Sequence, residues 1–100
     1  EYYMSVLVTV TFQFKPEAAE MALEALRQAL PDTRAYTGCE SVDSYYDSAT
    51  CTLLLIEFWD KPESQQAYLA WRGETGSMDA MADAMAAAPI FTTYETRKDI

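Results

Sequence analysis

The chain has 100 residues, half of them hydrophobic and 13% aromatic, and sixteen Asp and Glu against seven Lys and Arg give a formal charge of −9. A chain of this length supports one thin-cored domain that hides only about 60–65% of its unfolded surface, and its apolar content excludes a disordered segment. The negative field disfavours nucleic acid and anionic lipid, and no apolar run nears the ~20 residues of a membrane span, so a cytoplasmic protein with no nucleic-acid and no membrane partner is expected.

Residues 1–4 are set apart as an amino-terminal extension, native or added, 5–97 as the single domain and 98–100 as a tail. From Val6 to Phe14 the apolar side chains fall on alternate positions (Val6, Val8, Val10, Phe12, Phe14), the period-two signature of a strand with one dry face. Pro16 suits the first turn of a helix, where its missing amide costs nothing, and Glu17 and Glu20 complement the helix dipole. The stripe Ala19, Ala22, Leu23, Leu26, Leu30 then has helical spacing, and Pro31 with Asp32 is expected to end it.

Cys39 to Asp47 alternates weakly and reads as an exposed strand, followed by a turn over Asp47 to Thr50. Cys51 to Trp59 is apolar at successive positions (Leu53, Leu54, Leu55, Ile56, Phe58, Trp59), the mark of a strand covered on both faces. On that hairpin Cys39 and Cys51 stand some 20 Å apart at ~3.3 Å per residue, too far for a disulfide. Asp60 and Glu63 have capping-box spacing around Pro62, which predicts a helix carrying Ala67, Tyr68 and Trp71 inward until Gly73 and Gly76 break it. Ser77 can cap a further short helix in which Met78, Met81, Ala82 and Met85 share a face, and Pro89 releases the chain into a last strand, Ile90 to Thr96.

The two halves share one plan. Lys15-Pro16-Glu17 recurs 46 positions later as Lys61-Pro62-Glu63, with Phe12 matching Phe58 and Leu23 matching Leu69. The order βαββααβ predicts an α+β, ferredoxin-like antiparallel sheet with helices on one face. Because the third strand is apolar on both sides, the bare face is expected to meet a second copy, giving a homodimeric α+β barrel.

The stretches PDTRAYTGCESVDSYYD (Pro31 to Asp47), LLLIEFWDKPESQQAYLAWRGETG (Leu53 to Gly76) and APIFTTYE (Ala88 to Glu95) resemble the antibiotic biosynthesis monooxygenase family, especially its stand-alone quinol monooxygenase type. With the first strand the likeness covers roughly residues 5 to 97. It implies dimeric α+β barrels and a small-molecule pocket between sheet and helices. The chain has neither His nor Asn. It therefore lacks the axial His and neighbouring Asn of the haem-degrading relatives, and Leu55 stands where the cofactor-free oxygenases of polyketide quinones carry Asn. Trp59 matches their pattern directly, Tyr68 matches once a longer strand-to-helix connection is accepted, and Arg72 is a functional stand-in.

The resemblance assigns Trp59 to the pocket as a stacking surface, whereas the internal repeat sets Phe58 beside Phe12 on the helix side and turns Trp59 the other way; a plain core Trp is the bland alternative. Glu57 shares a face with Trp59, and burial would raise its pKa until it could take a phenolic proton; an ion pair with an Arg is its other reading. Tyr68 and Arg72 could stabilise a phenolate, or merely pack and face solvent. Phe12, Leu55, Trp71, Met81 and Tyr94 complete the expected pocket. The expectation is a cofactor-free monooxygenase, with no metal and no cofactor, acting with O2 on a small quinol or dihydroxyaromatic. The alternatives are a non-catalytic homodimer that binds a small apolar or aromatic molecule, and an isomerase or lyase in the same pocket.

Overall fold

The computed structural model describes residues 5–76 and 79–100, so the terminal extension, the Ser77 cap and the place of Met78 in the methionine stripe lie outside the described residues. Four strands, β1 (Val6–Gln13), β2 (Cys39–Asp47), β3 (Thr52–Trp59) and β4 (Ile90–Glu95), form one antiparallel sheet in the order β2-β3-β1-β4. Three helices, α1 (Ala19–Ala35), α2 (Pro62–Thr75) and the single turn α3 (Asp79–Ala82), complete the ferredoxin-like α+β fold. Among the described residues no helix is long and apolar enough to cross a membrane.

Register explains which side chains become the core. Val6, Val8, Val10 and Phe12 of β1 stand opposite Trp59, Glu57, Leu55 and Leu53 of β3, and directly opposed residues share a face. All eight are buried, and α1 covers them with Ala19, Ala22, Leu26, Leu30 and Thr33. Each large apolar side chain in this layer contributes about 1.5–3 kcal/mol by leaving water.

The other face carries Leu54, Ile56 and Phe58 of β3, with Ile90 and Tyr94 of β4 in the matching register, and Phe58 remains 38% exposed. Thus β3 is apolar on both sides, but within one chain only one side is covered. The repeat-based orientation is corrected: Phe12 pairs with Leu53, and Phe58 points to the open face while Trp59 points to the helices. The two halves match in sequence, but the second strand meets its partner one residue out of step with that match.

Three local expectations are also corrected. The α1 helix runs through Pro31 to Ala35, because Thr33 on its last turn is fully buried and bonded into the core. Pro62 occupies the first turn of α2 with Lys61 as the N-cap, so Asp60 lies one residue too early for a capping box; its carboxylate accepts a hydrogen bond from the Ser64 hydroxyl (2.5 Å) instead. Finally, Gly73 lies inside α2, and Gly76, in the left-handed region at φ 72°, ends it. Both cysteines are free thiols at opposite ends of the β2–β3 hairpin.

Candidate functional site

The inward face of α2 is polar. Its buried residues are Gln65, Tyr68 and Arg72, at spacings of three and four, while Ala67 is exposed and Trp71 half-buried, contrary to the expected apolar stripe. Such a face can be buried only where partners await it, and α1 supplies them. The Thr33 and Tyr68 hydroxyls share a hydrogen bond of 2.5 Å. Arg72 Nε donates to the Tyr68 oxygen (2.7 Å), and its Nη2 donates to the Ala29 carbonyl (2.7 Å) and to Thr33 Oγ1 (3.0 Å). The guanidinium also lies 4.8 Å from the Trp71 ring centroid and 5.2 Å from that of Tyr68.

Arg72 is thus 6% exposed and held by neutral oxygens, and among the described residues it makes no salt bridge. This overturns the solvated reading of Arg72. Across the same space Glu57 projects from β3 between Val8 and Val42, 4% exposed and likewise without a salt bridge among the described residues. Burial pushes its carboxyl above the ordinary range, partly offset by the Trp59 indole N–H, which donates to Glu57 Oε1 at 2.9 Å. The expected Arg partner of Glu57 is absent from the described ion pairs.

Between these two groups lies a cavity of about 60 Å³. Its walls include Phe12 and Leu55 from the sheet and Met81 from α3, together with Glu57, Tyr68 and Arg72. Trp59 and Trp71 do not line it. Trp59 is 0% exposed and sits behind Glu57 and Tyr68, packed 5.3 Å from the Tyr68 ring; Trp71 extends the same aromatic cluster with Tyr36. The stacking role expected of Trp59 is therefore corrected to a buried hydrogen-bond donor that fixes the carboxyl. Tyr94 is corrected too: it stands opposite Leu7 on the open face, 50% exposed, and its strand neighbour Phe91 takes the place by the cavity.

Thr33 was missed because Pro31 read as the helix end. A signal existed, since positions 19, 22, 26, 30 and 33 continue one helical stripe. In chemical terms the site joins a carboxyl biased toward its neutral form, a fixed cation with two hydroxyls, and an apolar wall between them. That combination can remove a proton from a weak acid and hold the anion that results. Among the described residues no group of three His, Cys, Asp or Glu is placed to hold a metal ion.

The model of the family described as antibiotic biosynthesis monooxygenase matches residues 5–86. No curated protein matches the chain. Among solved structures, a conserved protein from Methanosarcina mazei Go1 superposes with a TM-score of 0.84 at 14% identity over 95% of each chain. Rv0793 from Mycobacterium tuberculosis gives 0.81 at 20% identity over 95% of this chain and 97% of that one. A Deinococcus radiodurans protein named after the antibiotic biosynthesis monooxygenases is 25% identical over 95% of both chains, with a TM-score of 0.81.

Proposed function

This chain belongs to the antibiotic biosynthesis monooxygenase family, and from that premise we propose that it is a cofactor-free monooxygenase of a small electron-rich quinol or dihydroxyaromatic. The observation that carries the proposal is the pair of buried groups facing one apolar cavity: Glu57, with its raised pKa, and Arg72, bound among the described residues to neutral oxygens. In its ionised form Glu57 takes the phenolic proton. Arg72 and Tyr68 hold the phenolate, which passes an electron to O2, and recombination of the two radicals forms the carbon–oxygen bond. One oxygen atom stays on the ring and the other leaves as water, so a hydroquinone and O2 give a hydroxyquinone and water with no external reductant. The apolar walls of the cavity limit the water that can reach the radical pair.

Oxygen uptake with a panel of small hydroquinones tests this. Uptake above the uncatalysed rate, reduced about 10²- to 10⁴-fold by Glu57→Gln, is expected for loss of a general base. No uptake above background with any member rejects the proposal, and substrate loss without oxygen consumption points to an isomerase or lyase instead.

One observation favours a second reading, the non-catalytic binder. A cavity that takes benzene in a protein core measures roughly 150 Å³, and about 60 Å³ is well short of it. A ring enters only if wall side chains such as Met81 move, so a ligand that binds without oxygen uptake would support that reading. Either function is compatible with a homodimer in which a second copy covers Leu54, Ile56, Phe58, Ile90 and Tyr94, an exposed apolar face of a kind monomers rarely keep.

A further inference from the structure

The cavity is not the only concave surface that α1 helps to build. On the outer side of Leu26 and Leu30 lies a groove of about 320 Å³ between α1 and the β2–β3 hairpin, and these two leucines line both spaces. Leu23 and Leu53 extend its apolar floor, and Arg27 and Arg34 stand on its rim. The chain has only seven Lys and Arg at a net charge of −9, and two of them stand on one groove with no Asp or Glu among its lining residues, with Glu24 paired to Arg27 and Glu20 and Asp47 near the groove residue Tyr46.

We propose that this groove is the outer chamber of the same ligand site, and that it takes the carboxylate of an elongated acid whose apolar or aromatic end passes Leu26 and Leu30 into the cavity. The inference rests on reading the cavity as a ligand site, and it adds the substrate class: a monocarboxylate rather than a neutral ring. Arg34 is the principal recognition group. Its Nε donates to the Val42 carbonyl on the free edge of β2 (3.1 Å), which fixes the guanidinium beside the groove. Arg27 lies two helical turns earlier on the same face, about 10 Å away along the axis. It pairs with Glu24, but both side chains are more than half exposed, so that pair is weak and exchangeable for a ligand carboxylate. The arrangement suits one carboxylate held by Arg34 at the end of an apolar stem.

The test is calorimetric binding of 4-phenylbutyrate and its uncharged counterpart 4-phenylbutyramide to the intact protein at low salt. The acid is expected to bind about tenfold more tightly or better, the effect of one charge-assisted contact. Arg34→Met should abolish that preference, and Ser44→Phe, which keeps both arginines but fills the groove wall, should weaken acid and amide alike. Arg97→Met, a cation engaged with Asp99 near the carboxyl terminus, should change neither. Equal affinity for acid and amide, no binding of the acid, or a preference that survives Arg34→Met overturns the proposal. Because the readout is binding, the two ideas fail separately: a protein that binds the acid through Arg34 yet consumes no oxygen loses only the oxygenase reading, and one that oxidises neutral quinols without preferring acids loses only the groove.

Discussion

Glu57 is where folding and chemistry pull in opposite directions. A strand position flanked by Val8 and Val42 favours an apolar side chain, and the carboxyl there responds by holding its proton above the usual range. The folded state therefore binds that proton more tightly than the unfolded chain. Stability from this group is complete below the ordinary glutamate value of ~4.3 and is lost as the pH rises through the raised folded value. Thermal melts of wild type and Glu57→Gln across the pH range should diverge upward, with the variant more stable at neutral pH and its advantage gone in acid; parallel curves would contradict the burial argument. Glu57 and Arg72 were legible in the sequence as residue types near a pocket. Their geometry was not: the family resemblance set Trp59 on the helix side, where it lies, but nothing in the sequence showed that it stands behind the Glu57 carboxyl and not at the cavity wall.

At the scale of elements, local rules were overruled wherever a buried polar group needed a partner. Pro31 is a strong stop signal, yet α1 continues past it to deliver Thr33 to Tyr68 and Arg72. An interior proline forgoes one helical hydrogen bond and crowds the preceding turn, at a cost of up to ~3 kcal/mol. Pro31→Ala is expected to stabilise the protein by about 1–3 kcal/mol, read as a higher denaturation midpoint with unchanged slope; destabilisation would mean the proline is needed to aim that last turn. The same logic explains α2, whose pattern predicted Ala67, Tyr68 and Trp71 inward: Tyr68 does face in, but Gln65 and Arg72 join it in place of Ala67 and Trp71. By contrast β1 was fully legible, because five alternating apolar residues leave only one way to lay the strand down.

For the molecule as a whole, the sheet has one face under helices and one face of aliphatic and aromatic side chains in water. The proposed second copy would cover that face by sheet-on-sheet packing, and Phe58, near the end of β3, is among the side chains it would bury. Sedimentation should find the wild type dimeric, and Phe58→Glu should weaken the dimer by about 100-fold or more, as burying two unpaired carboxylates in an apolar interface requires. A monomeric wild type at high concentration would contradict the barrel. The apolar content of the sequence foretold this surplus, because hydrophobic residues in excess of one small core must appear on some surface.

In the proposed reaction, Glu57 accepts the first proton inside the cavity. The most direct measurement is the pH dependence of oxygen uptake by wild type and Glu57→Gln with one oxidisable hydroquinone. The wild-type rate should climb through an inflection above the ordinary carboxylate range, and the slow variant should lack that inflection. The same inflection in both proteins would mean that some other group, or the substrate alone, governs the proton.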